Sequence, residues 1–395
     1  MTYSNNPYTK ILHKHPHQEC TRCVMDTSDP WITFNNDGVC NHCQNYDNYI
    51  QQLGTGEDKK KNLKQLVDDL KSRGEGKDYD CIMGLSGGVD SSYLAWFAVK
   101  KLGLRPLVVH VDAGWNSELA INNIQNIVQK LNLDMHTLVV DWPEVRDLQR
   151  AYFLSGIANL DVPQDHAFVA SLYTEAKKFG IKDILNGGNM QTESILPQAW
   201  GYDANDVRSL KAIHKKYGSI KLKKFPTQSN FERLIYYPFI ARMRVHRPLE
   251  WIDYSKDSAK KILKEELGWR DYGGKHYESV FTKFFQAHYL PTKFGYDKRL
   301  AHYASLVVSG QMTKEEAKLE LQKPLYDPIE LEEEKLFWTK KLDLTIEEYE
   351  KVMAEKPTSY TDYANSVKVY DYLRTIFQIL KPFFKLFKIK NSKIK

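Results

Sequence analysis

Between residues 79 and 188, short apolar runs alternate with helical segments, and this alternation limits the fold more than any other feature of the sequence. The apolar runs occupy 79–85, 105–112, 134–141 and 182–188, and the helical segments occupy roughly 91–103, 117–132 and 164–180. Strands that alternate with helices predict βαβ units and a parallel sheet covered on both faces. Ligands of such sheets bind beyond the carboxyl ends of the strands, so we expect the chemistry at 86–91, 112–118 and 186–193.

The length and composition predict a soluble globular protein of two or three domains. Of the 395 residues, 42% are hydrophobic and 27% are charged. The formal charge of +6 suits an anionic ligand, but nucleic-acid binders are usually more basic, so we expect no nucleic-acid partner. No apolar run approaches the ~20 residues of a membrane-spanning helix. The N-terminal segment lacks the apolar core of a signal peptide, and we therefore expect a cytoplasmic protein.

A glycine-rich string, GLSGGVDSS (84–92), lies between the first predicted strand and the helix that follows it. Adjacent glycines let the backbone turn tightly and bring its N–H groups close to an anion, and the helix N-terminus adds further donors. The alternative is a plain strand-to-helix turn in which Ser or Asp caps the helix. We predict that the loop binds a nucleotide phosphate and that Asp90 holds Mg²⁺ and acts in catalysis. The other predicted contacts are Ser86, Gly87, Gly88, Val89, Ser91 and Ser92.

This loop lacks the lysine of the GxxxxGK[ST] pattern. It resembles the PP-loop of the ATP pyrophosphatases, which implies that ATP is cleaved between its α and β phosphates while the loop holds pyrophosphate. The charge of pyrophosphate must then be neutralised from elsewhere. In the aromatic and basic segment 268–307, we predict catalytic roles for Lys275 and Lys283 and ATP contacts for Lys293 and Arg299. The alternative is that these four are solvated surface charges.

Two further segments follow predicted strands. Asp112 ends the second strand, where an acid can reach a ribose hydroxyl or simply cap a turn. The segment 186–194 ends the fourth, and we predict that Gly188, Asn189 and Glu193 contact the reacting phosphates or Mg²⁺. Glu193 has an alternative role in the first turn of a helix, where an acid is favoured by the dipole.

Four of the five cysteines form two C-x2-C pairs, and their spacing indicates a closed four-sulfur metal site. We predict structural Zn²⁺ bound by Cys20, Cys23, Cys40 and Cys43, with His42 as a bystander; a disulfide pair or an iron–sulfur centre are the alternatives. The fifth cysteine, Cys81, lies in the first predicted strand and is expected in the core. No thiol then remains for covalent catalysis.

Several strings together resemble the N-acetyl sugar amidotransferase family: the cysteine segment 20–43, the SGGVDS loop, GGKHYESVFTKFFQ and residues 290–317. The resemblance covers roughly residues 15–330. It implies an enzyme of surface-polysaccharide biosynthesis, such as that of lipopolysaccharide O-antigen, that uses ATP and Mg²⁺. An acetamido group of a nucleotide-activated sugar would be adenylated, and ammonia from a separate class I glutaminase would convert it to an acetamidino group. A PP-loop tRNA-modifying enzyme, an amide-forming synthetase and a non-catalytic nucleotide-binding scaffold are the alternatives.

The predicted organisation is an α/β PP-loop core, of the adenine nucleotide α-hydrolase-like class, flanked by smaller parts. The parts are a zinc ribbon at 1–50, a helical linker at 51–78, the core at 79–250, a helical substrate and phosphate region at 251–330 and a helical tail at 331–395. The last residues, 372–395, are apolar and basic without an acid. We expect a packed helix followed by a disordered end; a membrane surface or the glutaminase are alternative contacts.

Overall fold

A computed structural model describes residues 16–274 and 277–386, with side chains described up to residue 376. Its centre is a five-stranded sheet in which every pairing is parallel. The strands are β1 (Cys81–Gly84), β2 (Pro106–Asp112), β3 (Met135–Val139), β4 (Asp183–Leu185) and β5 (Arg244–His246), in the order β3-β2-β1-β4-β5. The four predicted strands and the predicted fold class are confirmed. β5 was not predicted, because its three residues contain only one apolar side chain.

Helices precede the sheet and cover both of its faces, as expected for βαβ units. Two precede it, α1 (Asn41–Leu53) and α2 (Gly56–Gly74). Those among the strands are α3 (Val89–Trp96, continued by a π-helix over Phe97–Lys101), α4 (Glu118–Leu131), α5 (Trp142–Leu154), α6 (Val162–Lys178), α7 (Met190–Glu193) and α8 (Val207–Tyr217). A 3₁₀ turn (Gln198–Trp200) and a π-helix (Glu232–Ile240) lie before β5. The sequence analysis did not predict α5.

The chain after β5 is helical, as predicted. Its α-helices are α9 (Lys256–Leu267), α10 (Val280–Phe284), α11 (Leu290–Phe294), α12 (Lys298–Val308), α13 (Lys314–Gln322), α14 (Pro328–Lys341), α15 (Ile346–Ala354) and α16 (Val367–Leu386). A π-helix (Phe285–Tyr289) joins α10 to α11, and 3₁₀ turns occupy Pro248–Trp251 and Tyr360–Asp362. None of the described helices is long and apolar enough to cross a bilayer.

The largest hydrophobic cluster crosses the predicted boundary at residue 330. Trp338 of α14 and Tyr349 of α15 are buried together with Phe281 and Phe284 of α10. Lys341 of α14 makes a cation–π contact with Trp115, with its Nζ 4.4 Å from the centre of the ring. Helices α14 and α15, which lie in the predicted helical tail, are therefore packed against the body of the protein.

Candidate functional site

The glycine-rich loop makes a tight turn between β1 and α3. Gly87 has a φ of +81°, a conformation that favours glycine, and a Cβ at this position would lie 2.9 Å from the carbonyl oxygen of Ala120. The Trp269 indole N–H donates to the Gly87 carbonyl over 2.9 Å and holds the turn from the buried side. Gly88 is the N-cap of α3, so the first N–H groups of that helix point out of the loop. Local sequence thus produces a helix start whose N–H groups are placed as an anion site requires.

Hydroxyl oxygens accept hydrogen bonds from backbone N–H groups of this loop. Ser86 Oγ accepts from the Gly88 N–H at 3.2 Å, and Ser91 Oγ accepts from the Ser86 N–H at 3.3 Å. The Tyr272 hydroxyl accepts from the Val89 N–H at 3.1 Å. Phosphate oxygens are stronger acceptors for the same donors, so the loop is arranged for an anion. The predicted hydroxyl of Ser92 does not reach the cavity, because this residue is completely buried beneath the loop.

A pocket of about 420 Å³, here called the loop pocket, opens directly above these residues. The acidic residues that line it include Asp90 of the loop and Glu193 of α7. Two lysines of α9, Lys256 and Lys260, also line it, and neither was predicted. The Lys260 ammonium lies 2.7 Å from Asp271 Oδ2. The sequence analysis placed the missing loop cation in 268–307, whereas these two lysines belong to the helix that precedes that segment.

Asp90 is oriented by two neighbours. The Tyr254 hydroxyl donates to Asp90 Oδ1 over 2.6 Å, and the Asn189 amide lies 3.4 Å from the same oxygen. Burial raises the pKa of Tyr254, and the charge of Asp90 raises it further, so this hydroxyl remains a donor. Mg²⁺ bound beside a nucleotide uses one or two carboxylates, phosphate oxygens and water. Asp90 and Glu193, carboxylates that line one pocket with the loop, fit that requirement.

The loop pocket adjoins a larger cavity of about 880 Å³, here called the main cavity, and Ser86, Ser91 and Glu193 line both. One part of the main cavity is apolar, with Val111 of β2 and Phe168 and Leu172 of α6 on its wall. Other lining residues come from the chain after β5 and include Tyr277, Glu278, Thr282, Arg299, Tyr303 and Lys323. A cavity of this size, apolar at one end and bordered by the loop, suits a nucleotide together with part of a second substrate.

Asp112 does not line either cavity, although its neighbours Val111 and Ala113 do. Its Oδ1 accepts from the Gly114 N–H at 2.8 Å and from the Asn116 amide at 3.3 Å. The structure therefore supports the turn cap that the sequence left open, and not the predicted ribose contact. Gly188 lines the loop pocket, and Asn189 caps α7 through the Thr192 N–H.

Two predicted phosphate-binding lysines are used elsewhere. Lys293 is buried, and its ammonium donates to the carbonyl oxygens of Val352 and Glu355. Burial lowers the pKa of Lys293 to about 8. It fastens α11 to the end of α15, so the predicted ATP contact is wrong.

Lys283 is likewise paired within the protein. Its ammonium lies 2.5 Å from Glu330 and 2.6 Å from Glu334 of α14. Burial acts to lower the pKa of Lys283, but these two carboxylates outweigh it and the pKa is raised. The residue lines neither cavity, and its predicted catalytic role is wrong. Lys275 lies outside the described residues, so its predicted role stays a prediction.

Arg299 lines the main cavity, but its guanidinium is committed to the protein. It donates to Asp297 at 2.7 Å and to the carbonyl oxygen of Lys323 at 2.8 Å. Further contacts with the carbonyl oxygens of Glu320 and Leu321 close the C-terminal end of α13. The structure thus gives Arg299 a part in shaping the cavity wall, which differs from the predicted direct ATP contact.

The four predicted cysteines form a cluster that could hold a metal ion. Cys20, Cys23, Cys40 and Cys43 are buried free thiols whose sulfurs all lie within 4.8 Å of one another. The Cys20–Cys43, Cys23–Cys40 and Cys40–Cys43 sulfur distances are 3.8, 3.7 and 3.6 Å. A tetrahedral site with Zn–S bonds of about 2.3 Å requires sulfurs roughly 3.8 Å apart. The geometry therefore fits Zn²⁺ and excludes disulfides among these cysteines, which would need about 2.05 Å.

The cysteine module is docked on α13. The Lys314 ammonium donates to the Cys20 carbonyl oxygen and lies 2.7 Å from Glu19 Oε1. His42 is paired with Asp29 at 2.7 Å and is not among the four clustered groups, in agreement with its predicted bystander role. Cys81 is fully buried in β1, as predicted, and burial raises the pKa of its thiol.

Two family models match different parts of the chain, and residues from both parts line the main cavity. Residues 278–376 match the family described as LPS biosynthesis protein WbpG-like, C-terminal domain. Residues 59–216 match the NAD synthase family and include the loop. The chain is a PP-loop enzyme of the amidotransferase type. A PP-loop domain, a WbpG-like domain and a four-cysteine module together confirm the N-acetyl sugar amidotransferase family predicted from the sequence.

Relatives among known proteins extend over different parts of this PP-loop enzyme. It is 24% identical to an uncharacterised protein, MJ1599, of Methanocaldococcus jannaschii over 312 residues, which are 78% of this chain and 94% of that protein. It is 32% identical to the GMP synthase of Sulfurimonas denitrificans over 133 residues, which are 32% of this chain and 24% of that protein. The match to the GMP synthase of Vesicomyosocius okutanii is 28% over 162 residues, or 40% of this chain and 29% of that protein.

Among solved structures, the NH3-dependent NAD synthetase of Campylobacter jejuni is similar over 67% of this chain and 97% of that chain. The sequence identity is 13% and the TM-score is 0.32.

Proposed function

We propose that this enzyme converts an acetamido group of a nucleotide-activated sugar to an acetamidino group at the expense of ATP. One observation carries the proposal. Glu278, Arg299 and Tyr303, which lie within the match to the WbpG-like domain, line the main cavity together with Ser86 and Ser91 of the PP-loop. A domain of the lipopolysaccharide-biosynthesis type thus encloses the space in which adenylation would occur. The proposal extends to surface-polysaccharide biosynthesis, such as that of O-antigen, as the pathway that uses the product.

The proposed chemistry balances without a covalent enzyme intermediate. The amide oxygen of the acetamido group attacks the α-phosphorus of ATP, and the bond to the pyrophosphate oxygen breaks. Ammonia then attacks the activated carbon, loses a proton, and AMP departs with the former amide oxygen. An amide carbonyl is a poor electrophile, so adenylation supplies the leaving group, and enclosure disfavours attack by water. The products are the amidine, AMP and pyrophosphate.

The described residues have distinct proposed parts in this reaction. The loop N–H groups, now directed at the hydroxyls of Ser86, Ser91 and Tyr272, would hold the pyrophosphate oxygens. Asp90 and Glu193 would hold Mg²⁺, which neutralises phosphate charge when bound. Lys256 and Lys260 line the same pocket and would supply the cations that the loop lacks.

Ammonia is proposed to come from a separate class I glutaminase. A built-in glutaminase normally uses a cysteine nucleophile. Here, four thiols are clustered in the metal centre and Cys81 is enclosed in β1, so none of the five cysteines lines either cavity. A partner that releases ammonia close to the main cavity would protect the activated sugar from hydrolysis.

Product analysis tests the proposal. Purified enzyme is incubated with Mg-ATP, ammonium and a panel of nucleotide-activated acetamido sugars, and the products are followed by mass spectrometry and pyrophosphate release. We expect one sugar to gain NH in place of oxygen, together with AMP and pyrophosphate. Loss of this activity in Asp90→Asn, with an unchanged thermal transition, would link the product to the loop pocket. Unchanged sugars combined with tRNA-dependent pyrophosphate release would overturn the proposal.

A further inference from the structure

Six residues with hydrogen-bonding side chains, here called the polar subsite, line the main cavity but not the loop pocket. Four lie at the start of α6 and two lie in the chain after β5: Asn159, Asp161, Gln164, Asp165, Gln286 and Lys298. A few polar groups placed in a partly apolar cavity usually orient a substrate. The proposed reaction, as described so far, assigns no part to this subsite.

The polar subsite is held together across the two matched regions of the chain. The Thr282 hydroxyl of α10 donates to Asp161 Oδ1 at 3.0 Å, and the Gln164 amide donates to the same oxygen at 3.3 Å. Asp161 lies within the match to NAD synthase, whereas Thr282 lies within the match to the WbpG-like domain. Asp161 therefore has a structural role, which fixes the first turn of α6 against α10.

Asp165, one turn further along α6, differs from Asp161. Within the described part of the chain, no residue donates a hydrogen bond to its carboxylate or forms an ion pair with it. Its side chain is accessible and lines the main cavity. Burial nevertheless raises the pKa of Asp165, and the charge of Asp161 raises it further, while Lys298 of α12 opposes the shift. An enclosed carboxylate of this kind calls for a donor from a ligand.

The substrates of the proposed reaction differ in what they offer to this carboxylate. The phosphates of ATP are anionic and would be repelled. The acetamido group carries an N–H donor on the atom next to its carbonyl carbon. Ser86 and Ser91 of the loop line the same cavity as Asp165, so one substrate can direct its amide oxygen at ATP and its N–H at the polar subsite. The ribose hydroxyls of ATP are the alternative donors, and they predict a different kinetic defect.

We propose that the Asp165 carboxylate accepts a hydrogen bond from the acetamido N–H and removes its proton as the amide oxygen attacks the α-phosphorus of ATP. This inference rests on the proposed function and adds a base to it. The O–P bond forms and the bond to pyrophosphate breaks. The nitrogen lone pair becomes the second C–N bond, and the electrons of the N–H bond stay on nitrogen. The step yields a neutral O-adenylated imidate, pyrophosphate and protonated Asp165.

The same group serves the second step. As ammonia adds to the imidate carbon, protonated Asp165 returns its proton to the imidate nitrogen and becomes ionised again. The added nitrogen then loses a proton, and AMP leaves with the former amide oxygen. Asp165 is thus restored in each cycle, and the products remain the amidine, AMP and pyrophosphate.

A base at this position also bears on the choice of substrate. Without it, positive charge would build up on the amide nitrogen as the oxygen attacks, and the oxygen would be a poorer nucleophile. A carboxylate substrate, of the kind that an amide-forming synthetase uses, has no such proton and would be repelled by Asp165. The polar subsite therefore favours an acetamido group over a carboxylate.

Sugar-dependent ATP–pyrophosphate exchange without ammonium isolates the adenylation step. The sugar is the nucleotide-activated acetamido sugar of the panel that the wild type converts. We expect Asp165→Asn to lower the kcat of exchange by roughly 100- to 10,000-fold, the usual contribution of a general base, with an unchanged KM for ATP. Asp165→Glu should recover part of the rate. The control, Asp68→Asn, changes an exposed aspartate of α2 that lines neither cavity and should exchange normally.

The dependence on pH separates a base from a structural residue. Asp165 can accept a proton only when it is ionised, so the ratio of the wild-type rate to the Asp165→Asn rate should be large above its pKa. The ratio should fall towards one as the pH falls below that value. Glu278 and His302, which also line the cavity, are present in both proteins, so their titration cancels in the ratio. A large ratio that does not change with pH would overturn the inference.

The remaining outcomes distinguish this inference from the proposed function. Normal exchange in Asp165→Asn, beside a wild type that forms the amidine, would overturn the inference alone. A raised KM for ATP with a normal kcat would also overturn it, because Asp165 would then contact the ribose. If no sugar of the panel supports exchange by the wild type, the proposed function itself fails, and the role of Asp165 fails with it.

Discussion

At the scale of single residues, Gly87 decides whether the loop can form. Its positive φ excludes most side chains, and the space that a Cβ would occupy lies 2.9 Å from the Ala120 carbonyl oxygen. The first feature costs about 1 to 2 kcal/mol for a non-glycine residue. The second feature, the short contact between a Cβ and the Ala120 carbonyl oxygen, would push α3 and α4 apart.

We expect Gly87→Ala to lower the stability of the protein and to abolish ATP–pyrophosphate exchange. Gly76→Ala is the matched control, because Gly76 has a φ of +71° but nothing lies within 4 Å of its Cβ position. The free energy of unfolding and the exchange rate are measured for both variants. If both lose equal stability, or if Gly87→Ala remains active, the proposed clash is not important.

Lys260 and Lys293 occupy different environments, and their substitutions should therefore have different effects. Lys260 lines the loop pocket, whereas Lys293 is buried against the end of α15. Lys260→Met should raise the KM for ATP by roughly 10- to 100-fold, the usual effect of removing a charged hydrogen bond, and leave stability nearly unchanged. Its neighbour Lys261 does not line the loop pocket, so Lys261→Met is the control.

Lys293→Met should have the opposite effect. It leaves the buried Val352 carbonyl oxygen and the partly buried Glu355 carbonyl oxygen without this donor, at a cost of about 1–3 kcal/mol, while the KM for ATP stays unchanged. Thermal unfolding and exchange kinetics measured side by side test both variants. A change in KM with Lys293→Met would instead favour the ATP contact expected from the sequence.

At the scale of elements, buried Asp183 connects α2, β4 and β5. It accepts hydrogen bonds from Arg73, Arg244 and His246 at 3.0, 2.9 and 2.8 Å. Burial by itself raises the pKa of Asp183, but the His246 hydrogen bond and the charges of Arg244 and Arg73 lower it to about 2. The short edge strand β5, which lacks an apolar pattern, is held in the sheet by this group.

The pKa shift has a defined consequence for stability. Because the folded pKa lies below the unfolded value of about 3.9, the ionised group stabilises the fold above that value by about 2.5 kcal/mol. This contribution is lost as the pH falls from about 4 towards 2. We expect Asp183→Asn to be less stable than the wild type at pH 7, and the difference to shrink over that range.

Asp69→Asn is the control for this experiment. Asp69 also faces Arg73, at 3.4 Å, but its side chain is half-exposed and its pair should contribute less than about 1 kcal/mol. Denaturant unfolding is measured at several pH values for all three proteins. A difference between wild type and Asp183→Asn that does not depend on pH would contradict the role given to the Asp183 charge.

At the scale of the whole molecule, the cysteine module and the PP-loop domain meet through the helices between them. The module shares its hydrophobic cluster with α12, and Lys314 of α13 donates to its backbone. Helix α12 also supplies the main cavity with Arg299 and Tyr303. The cysteine module therefore packs against helices that also form part of the cavity wall.

We expect Cys43→Ser to lose bound zinc, to unfold at lower temperature and to lose activity, because three thiolates cannot close the site. Cys81→Ser is the control: this residue lies in β1, so zinc should be retained. Metal content by mass spectrometry, thermal unfolding and pyrophosphate release are measured together. Full zinc retention in Cys43→Ser would contradict the four-cysteine site.

The sequence by itself determined the features whose causes are local. The period of apolar runs predicted four strands and a parallel sheet, the loop string predicted a tight turn between a strand and a helix, and the cysteine spacing predicted the four-cysteine cluster. Each of these features depends on residues that are close along the chain, so a short stretch of sequence is enough to predict it.

Only the tertiary structure decided which distant side chains share a pocket. Lys293 and Lys260 are alike in sequence, yet packing buries the first against α15 and brings the second above the loop. Tyr254 and Tyr272, which contact Asp90 and Val89, carry no pattern that distinguishes them from the other tyrosines. Such roles depend on how helices far apart in sequence cross one another, and that geometry comes from the whole core.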